Sequence, residues 1–191
     1  MCSSPTNLIR LFAGVPITPN ISHFVQKVQH QNARQTSLRW VPLENLHLTS
    51  IFIGEVSPLL CENIVGVLNI IAKKTTPFLL TPTEIKIMPP RNPRMIWLKF
   101  NPHDAYKNFL DLHQQYFAPL NLMMRQFDTY RPHITLARFK ENMPPENFTF
   151  TKVPATLTFD ATKLCLWEAK LQKSGATYTL LHEFVFPTTN K

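Results

Sequence analysis

Two short segments of the sequence carry the same side-chain types at the start of runs rich in β-branched and aromatic residues. His47-Leu48-Thr49 opens one run, and His133-Ile134-Thr135 opens the other. Such runs are typical of strands, in which successive side chains point to opposite faces. The histidine and the threonine of each segment, here called a triplet, therefore share one face of the strand, and the middle residue points into the core.

Two histidines that face one site supply a complete acid–base pair. A neutral imidazole takes a proton from an incoming nucleophile, and a protonated imidazole gives one to the leaving oxygen. Thr49 and Thr135 are placed to hydrogen-bond the non-bridging oxygens of a phosphate. We therefore predict that His47 and His133 are catalytic and that the two threonines bind substrate. Water serves as the nucleophile, and no metal or cofactor is needed.

The rest of the sequence offers no competing chemistry. A metal site built on the two histidines needs a third ligand, which the triplets do not supply. The cysteines form no CxxC pair, so neither a disulfide framework nor a zinc site is indicated. The sequence has no GxGxxG, Walker-type, GxSxG or HExxH motif. The remaining histidines have no partner spacing and are expected to be packed or at the surface: His23, His30, His103, His113 and His182.

The elements that must position the triplets form an internal repeat. Hydrophobic periodicity predicts a strand, a helix and a triplet strand in each half of the chain, at 8–14, 19–34 and 46–53 and again at 94–100, 104–116 and 132–139. A pseudo-two-fold between the two units would place both triplets on central strands that face one cleft. No Pro/Gly/Ser-rich linker separates the units. Residues 1–191 are therefore predicted to form one bilobal α+β domain with repeat halves at roughly 8–90 and 94–186.

Further elements are predicted between and after these units. Ser57 and Pro58 are expected to begin a helix over 58–73, whose core stripe is predicted to be Leu59, Leu60, Ile64, Val67, Leu68 and Ile71. Three strands are expected to close the chain, at 156–159, 163–171 and 177–186.

Charge and hydropathy limit the class of partner. The formal net charge is +8, which favours a polyanion such as RNA but also fits a solvated basic surface. No apolar run approaches the roughly 18 to 20 residues that span a bilayer. The first residues lack the features of a secretory signal. We therefore expect a cytoplasmic protein that does not insert into a membrane.

The triplets and their flanks resemble the two HxT motifs of the 2H phosphoesterase superfamily. More narrowly, the chain resembles the bacterial and archaeal RNA 2′,3′-cyclic phosphodiesterases, long called 2′-5′ RNA ligases. The resemblance is carried by IRLFAGVPI, LRWVPLENLHLTSIFIGEV, PRNPRMIWLKF, YRPHITLARF and LWEAKLQKSGATYTLL. The chain departs from the usual family pattern at Ser50, Ile51 and Trp167-Glu168-Ala169. The resemblance implies the bilobal pseudo-two-fold 2H phosphoesterase fold, in which antiparallel sheets line a central cleft.

The resemblance also implies an activity and two further site residues. The expected enzyme is a monomer that hydrolyses 2′,3′-cyclic phosphodiester ends of RNA or cyclic nucleotides to a 2′-phosphomonoester and a free 3′-hydroxyl. An arginine after the second motif and an aromatic residue in the first strand tend to serve the substrate in that family, and here these are Arg138 and Phe12. Strict alternation places Arg138 on the face opposite His133, so it reaches the phosphate only if the strand bulges or ends there. Phe12 either stacks on a base or packs in the core.

Several alternatives stay open at the level of sequence. We hypothesise that His47 protonates the leaving 3′ oxygen and His133 activates water, but the near-symmetry of the repeat allows the roles to be exchanged. The same two histidines would suit reversible 2′-5′ ligation of RNA, or hydrolysis of 2′-5′ oligoadenylate or of ADP-ribose cyclic phosphate. A non-catalytic RNA-binding protein that uses its basic surface is the alternative from a different class.

Overall fold

The computed structural model describes residues 8–120, 122, 131–140, 144–172 and 175–188. The α-helices of this part of the chain are α1 (Pro19–Gln31), α2 (Cys61–Lys74) and α3 (Asp104–Phe117). Its strands are β1 (Ile9–Pro16), β2 (Leu38–Trp40), β3 (His47–Val56), β4 (Phe78–Leu80), β5 (Pro82–Met88), β6 (Met95–Phe100), β7 (His133–Phe139), β8 (Phe159–Ala161), β9 (Lys163–Gln172) and β10 (Gly175–Val185).

Most of the strands belong to one curled sheet. The sheet has eight strands in the order β10-β9-β1-β3-β7-β6-β5, and β2 lies off this path beside β7. Every pairing in it is antiparallel. Strands β4 and β8 form a separate two-stranded ladder. The predicted α+β fold is confirmed.

The two triplet strands lie next to each other at the centre of the sheet. They pair at Leu48 and Ile134, the middle residues of the two triplets. This pair is here called the join. Both side chains are buried, and each is flanked by the histidine and the threonine of its own triplet. The first unit, with β1 and β3, lies on one side of the join, and the second unit, with β6 and β7, lies on the other.

Each triplet strand contains a β-bulge directly after its threonine. The register of β3 with β1 skips Ser50, and the register of β7 with β6 skips Leu136. In both strands the skipped residue and its successor, Ile51 or Ala137, are buried one after the other. Because a bulge inserts one residue, it shifts the alternation of all residues beyond it. The side chains that follow the two bulges therefore return to the face of the triplets.

The three helices supply most of the apolar side chains that cover the inner face of the sheet. Their buried residues follow the 3.6-residue period: Ile21, Phe24, Val25 and Val28 in α1, Ile64, Leu68, Ile71 and Ala72 in α2, and Tyr106, Phe109, Leu110, His113 and Phe117 in α3. The residues of the join belong to the same core. The triplet histidines and threonines consequently lie on the face turned away from it.

Several predicted elements differ from those observed, in their position or at their ends. The helix expected over 58–73 is preceded by a 3₁₀ turn at Pro58–Leu60, in which the Ser57 hydroxyl accepts a hydrogen bond from the Leu59 amide at 3.3 Å. This turn directs Leu59 into solvent, with 87% of its surface exposed, so its predicted place in the core is wrong. The strand expected over 156–159 is also wrong, because the pairing with β4 begins only at Phe159. Helix α1 ends at Gln31, three residues before its predicted end.

Part of the chain predicted to be irregular, at 118–131, lies outside the described residues, as does the start of the loop predicted at 141–154. No helix in the described part of the chain is both long enough and apolar enough to cross a membrane.

Candidate active site

The structure brings the two predicted histidines and two predicted threonines together around the join. Antiparallel pairing at the join sets His47 beside Thr135 and His133 beside Thr49, on the face turned away from the core. All four residues are partly exposed. The histidines thus occupy one diagonal of a four-residue arrangement, and such diagonal neighbours lie about 7–8 Å apart. Two imidazoles that project to the same face from backbone positions at this spacing can both contact one phosphate group.

Both imidazoles are held by the same backbone contact. Nδ1 of His47 lies 2.7 Å from the carbonyl oxygen of Asn45, and Nδ1 of His133 lies 2.9 Å from that of Arg131. A carbonyl oxygen only accepts hydrogen bonds, so Nδ1 carries the proton in each neutral ring. The Nε2 atom of each ring is left to exchange a proton with a ligand.

His47 lies against a cluster of aromatic side chains. Its ring centre is 4.7 Å from that of Phe12, 5.5 Å from that of Trp167 and 5.6 Å from that of Tyr178. Burial among these rings lowers the pKa of His47 to about 4, and the charges of His133 and Arg138 act in the same direction. The ligand-free ring is therefore neutral at pH 7.

His133 stacks on Trp97, with the ring centres 3.6 Å apart and an interplanar angle of 19°. Burial lowers its pKa below the ordinary histidine value, and the nearby guanidinium of Arg138 lowers it further. The hydrogen bond to the Arg131 carbonyl acts in the opposite direction. Arg138 is thus a shared neighbour of both imidazoles, since its charge also affects His47.

Arg138 is exposed on the face of the triplets because of the bulge in β7. Leu136 and Ala137 are buried in succession, so Arg138 turns to the same side as His133 and Thr135. The sequence predicts that Arg138 reaches this face only if the strand bulges or ends there, and the strand does bulge. The bulge of β3 acts in the same way on Phe52, which takes the position equivalent to Arg138 and exposes 42% of its surface.

The ring of Phe12 is not open for a base to stack on it. Only 3% of its surface is exposed, because it stacks on Trp167 and lies edge-on to Tyr178 in addition to contacting His47. Its ring therefore supports the imidazole of His47 directly. The more exposed aromatic surface beside it belongs to Phe52 and to Tyr178, which is half-buried.

A groove of about 960 Å³ runs beside the histidines. Phe12, Phe52, Arg138 and Tyr178 line its part nearest to them, and Arg39 lines the wall formed by β2. Within the described residues, no group of three His, Cys, Asp or Glu side chains is arranged to hold a metal ion. The groups closest to the join are imidazoles and hydroxyls, and guanidiniums and the carboxylate of Glu44 line the groove beside them.

Comparison with known proteins identifies the family of the chain. Residues 17–172 match the 2'-5' RNA ligase superfamily. The chain belongs to this superfamily. It is 22% identical over 185 residues to the RNA 2',3'-cyclic phosphodiesterase of Aquifex aeolicus (strain VF5), an alignment that covers 93% of this chain and 97% of the relative.

Solved structures share the fold of this superfamily member. The structure of TT0787 of Thermus thermophilus has a TM-score of 0.83 at 20% identity and covers 95% of this chain and 100% of its own. The structure of E. coli LigT complexed with 3'-AMP has a TM-score of 0.68 at 21% identity and covers 94% of this chain and 99% of its own.

One polar contact behind the site was missed by the sequence analysis. Ser50, the bulge residue of β3, points into the core, where its hydroxyl lies 3.1 Å from Nε2 of His113 in α3. Nδ1 of His113 lies 2.8 Å from the carbonyl oxygen of Phe109, so this atom carries the ring proton and Nε2 accepts from Ser50. The departure of Ser50 from the pattern usual in the 2H phosphoesterases was the available signal, because a polar residue at a core position requires a partner.

A close backbone approach also shapes the site of this superfamily member. Gly14 of β1 lies opposite Thr49, and a Cβ atom at Gly14 would be only 2.5 Å from the carbonyl oxygen of Leu48. Only glycine allows β1 and β3 to lie this close. The position of Thr49 therefore depends on the absence of a side chain at Gly14.

Proposed function

We propose that this superfamily member hydrolyses the 2′,3′-cyclic phosphodiester ends of RNA, leaving a 2′-phosphomonoester and a free 3′-hydroxyl. The observation that carries the proposal is the matched pair of imidazoles, which have the same tautomer and lie diagonally across the join. The name of the Aquifex relative and the nucleotide in the E. coli LigT complex support this substrate class.

The proposed reaction is a single in-line displacement at phosphorus. The oxygen of a water molecule forms a bond to phosphorus as the bond from phosphorus to the 3′ oxygen breaks. Nε2 of His133 takes one proton from the water, and Nε2–H of His47 gives one to the 3′ oxygen. The bond to the 2′ oxygen is kept. Exchange with solvent then returns both rings to their starting state, and the step as proposed uses only these two rings and water.

The assignment of acid and base follows from the environments of the two rings. Burial lowers the pKa of both rings, that of His47 to about 4. Once protonated, His47 is therefore a strong acid for a poor leaving group, and His133 is assigned the remaining role of base for water. A bound phosphodiester anion offsets the charge of Arg138, raises the pKa of both rings and allows the pair to hold one proton at neutral pH.

The remaining residues are proposed to hold the substrate. The hydroxyls of Thr49 and Thr135 donate hydrogen bonds to the non-bridging oxygens, and Arg138 balances the charge of the phosphate. Phe12 positions the imidazole of His47 from behind. Phe52 offers its exposed ring to the terminal base.

Substrate turnover by matched histidine variants tests the proposal. The purified protein, with a chelator present, is given a 2′,3′-cyclic nucleotide, and the position of the product phosphate is identified by ³¹P NMR. His47→Ala and His133→Ala should each lower kcat by about 10²- to 10⁴-fold. His182→Ala, which removes an exposed histidine of β10, should retain wild-type turnover. Wild-type turnover by His133→Ala would refute the two-histidine mechanism.

Substrate comparison separates this proposal from its alternatives. Efficient joining of RNA ends, or turnover of 2′-5′ oligoadenylate or ADP-ribose cyclic phosphate in place of the cyclic RNA end, would assign the same site to a different reaction. Salt-sensitive RNA binding without any turnover would show a binding protein instead.

A substrate with sulfur in place of the bridging 3′ oxygen identifies the acid, because its thiolate leaves without protonation. We expect this substrate to restore the rate of His47→Ala but not that of His133→Ala.

A further inference from the structure

Two arginines stand side by side in the groove at the edge of the active site. Arg39 of β2 lies directly opposite Arg138 of β7 in the antiparallel register. The neighbouring pair, Leu38 and Phe139, is buried, so both arginines lie on the other face and line the groove. Arg39 belongs to a strand next to β7, about 5 Å further along the sheet.

This pair of like charges has no acidic partner in the described part of the chain. Like charges directly opposite each other on two strands repel and destabilise the pairing. A third groove arginine, Arg10, is neutralised by Glu55 at 3.0 Å. Glu44 also lines the groove, but no ion pair joins it to Arg39 or Arg138 among the described residues. A bound anion between the two guanidiniums would remove the repulsion.

The aliphatic part of the Arg39 side chain lies close to the hairpin of β9 and β10. Its Cδ and Nε atoms lie 3.8 and 4.0 Å from the position that a Cβ atom would take at Gly175. Gly175 has a φ of +139°, which favours glycine. The hairpin end therefore approaches Arg39 with no side chain between them. The Arg39 side chain is exposed and lines the groove beside this hairpin.

We infer that Arg39 and Arg138 form a second phosphate subsite, which binds the phosphodiester on the 5′ side of the terminal nucleotide. The inference rests on the proposed function, since it takes the terminal cyclic phosphate to lie between the histidines. Arg138 is shared by both phosphates, and Arg39 contacts only the one further from the reaction. The protein should therefore prefer oligonucleotide ends to cyclic mononucleotides, which lack that phosphate.

The experiment compares two substrates that differ by this phosphate. kcat/KM is measured for a dinucleotide ending in a 2′,3′-cyclic phosphate and for the corresponding cyclic mononucleotide, at several salt concentrations. Arg39→Ala should lower the ratio of the two values about tenfold, as expected for one charge-assisted contact. It should also reduce the salt slope for the dinucleotide by about 0.7. Arg39→Lys should keep most of that slope.

Arg34→Ala is the matched control, because Arg34 is exposed after α1 and does not line the groove. Its substrate ratio and salt slope should equal those of the wild-type protein. If the ratio is unchanged in Arg39→Ala, whether both kcat/KM values stay the same or both fall by the same factor, the subsite is overturned. The proposed function is then left intact. No hydrolysis of either substrate by the wild-type protein would instead refute the proposed function, and the subsite with it.

Discussion

The hydroxyl of Ser50 donates a hydrogen bond to Nε2 of His113 in the interior of the protein, 3.1 Å away. Only 3% of Ser50 and 2% of His113 is exposed. Ser50 is the bulge residue that separates Thr49 from Phe52, so this contact connects helix α3 to the shape of the active-site strand. The bulge of β7 has a leucine at the equivalent place, Leu136, whose side chain is buried and whose carbonyl oxygen accepts a hydrogen bond from the Val41 amide at 2.9 Å.

Removal of one partner of this contact should cost more than removal of both. Ser50→Ala leaves Nε2 of His113 buried without a donor, and we expect it to lower the free energy of unfolding by about 1 to 3 kcal/mol. Ser50→Ala combined with His113→Leu replaces the contact by apolar packing and should recover part of this loss. Urea unfolding of the two single variants and the double variant gives the coupling energy. Additive losses would show that the hydroxyl and the imidazole do not interact.

His113 should also make the protein sensitive to acid. Burial lowers its pKa to about 4 in the folded state, whereas an unfolded histidine has a pKa near 6.5. As the pH falls below about 6.5 the unfolded chain binds the proton first, so the free energy of unfolding should decrease by up to about 3 kcal/mol by pH 4. Urea unfolding at pH 7, 5.5 and 4.5 measures the effect. In the Ser50→Ala, His113→Leu double variant, the free energy of unfolding should fall less steeply with decreasing pH. An identical fall would show that groups other than His113 cause the acid sensitivity.

The charge of Arg138 should be visible in the titration of His47 and His133. Because the guanidinium lowers the pKa of His47 and of His133, Arg138→Ala should raise both pKa values toward the ordinary range. NMR titration of the imidazole Cε1–H signals measures these values without substrate. Arg10→Ala is the control, since Arg10 is paired with Glu55 and should leave both histidines unaffected. Unchanged titration in Arg138→Ala would contradict the arrangement described for the site.

A methyl group at Gly14 should disturb both stability and turnover. The added Cβ atom would lie 2.5 Å from the Leu48 carbonyl oxygen, which forces β1 away from β3 beside Thr49. We expect Gly14→Ala to lower the free energy of unfolding by about 1 to 3 kcal/mol and to lower kcat/KM for the cyclic nucleotide. Gly66→Ala is a matched control in helix α2, where a Cβ atom meets nothing within 4 Å. That substitution should stabilise the protein by about 0.5 to 1 kcal/mol, and equal effects of the two would contradict the close approach.

The triplets illustrate how much of this site is readable from the sequence. Side-chain alternation fixes the common face of His47 and Thr49, and the repeated strand–helix–strand order predicts that His133 lies opposite. These features follow from local patterns and from the pairing of similar units. The hydrogen bonds that set the imidazole tautomers also depend only on the residues two positions before each histidine.

The parts that were not predicted depend on contacts between distant elements. Ser50 lies 63 residues from His113, and nothing in the local pattern indicates that a core histidine will satisfy its hydroxyl. Leu59 has the right spacing for a helical core, but the Ser57 cap winds a 3₁₀ turn that rotates it outward. The direction of Arg138 depends on a bulge, and a bulge is set by the register of the neighbouring strand.

The join between Leu48 and Ile134 has a consequence for how the imidazoles of His47 and His133 can change their separation. Each imidazole is tied to its own strand by a backbone carbonyl, and the two strands are tied to each other by backbone pairing. The spacing of the two histidine backbones is thus a property of the main chain, common to any antiparallel ladder. Substitutions in the surrounding walls can alter which substrate enters, how strongly it binds and how each ring is supported, but they leave this backbone spacing in place.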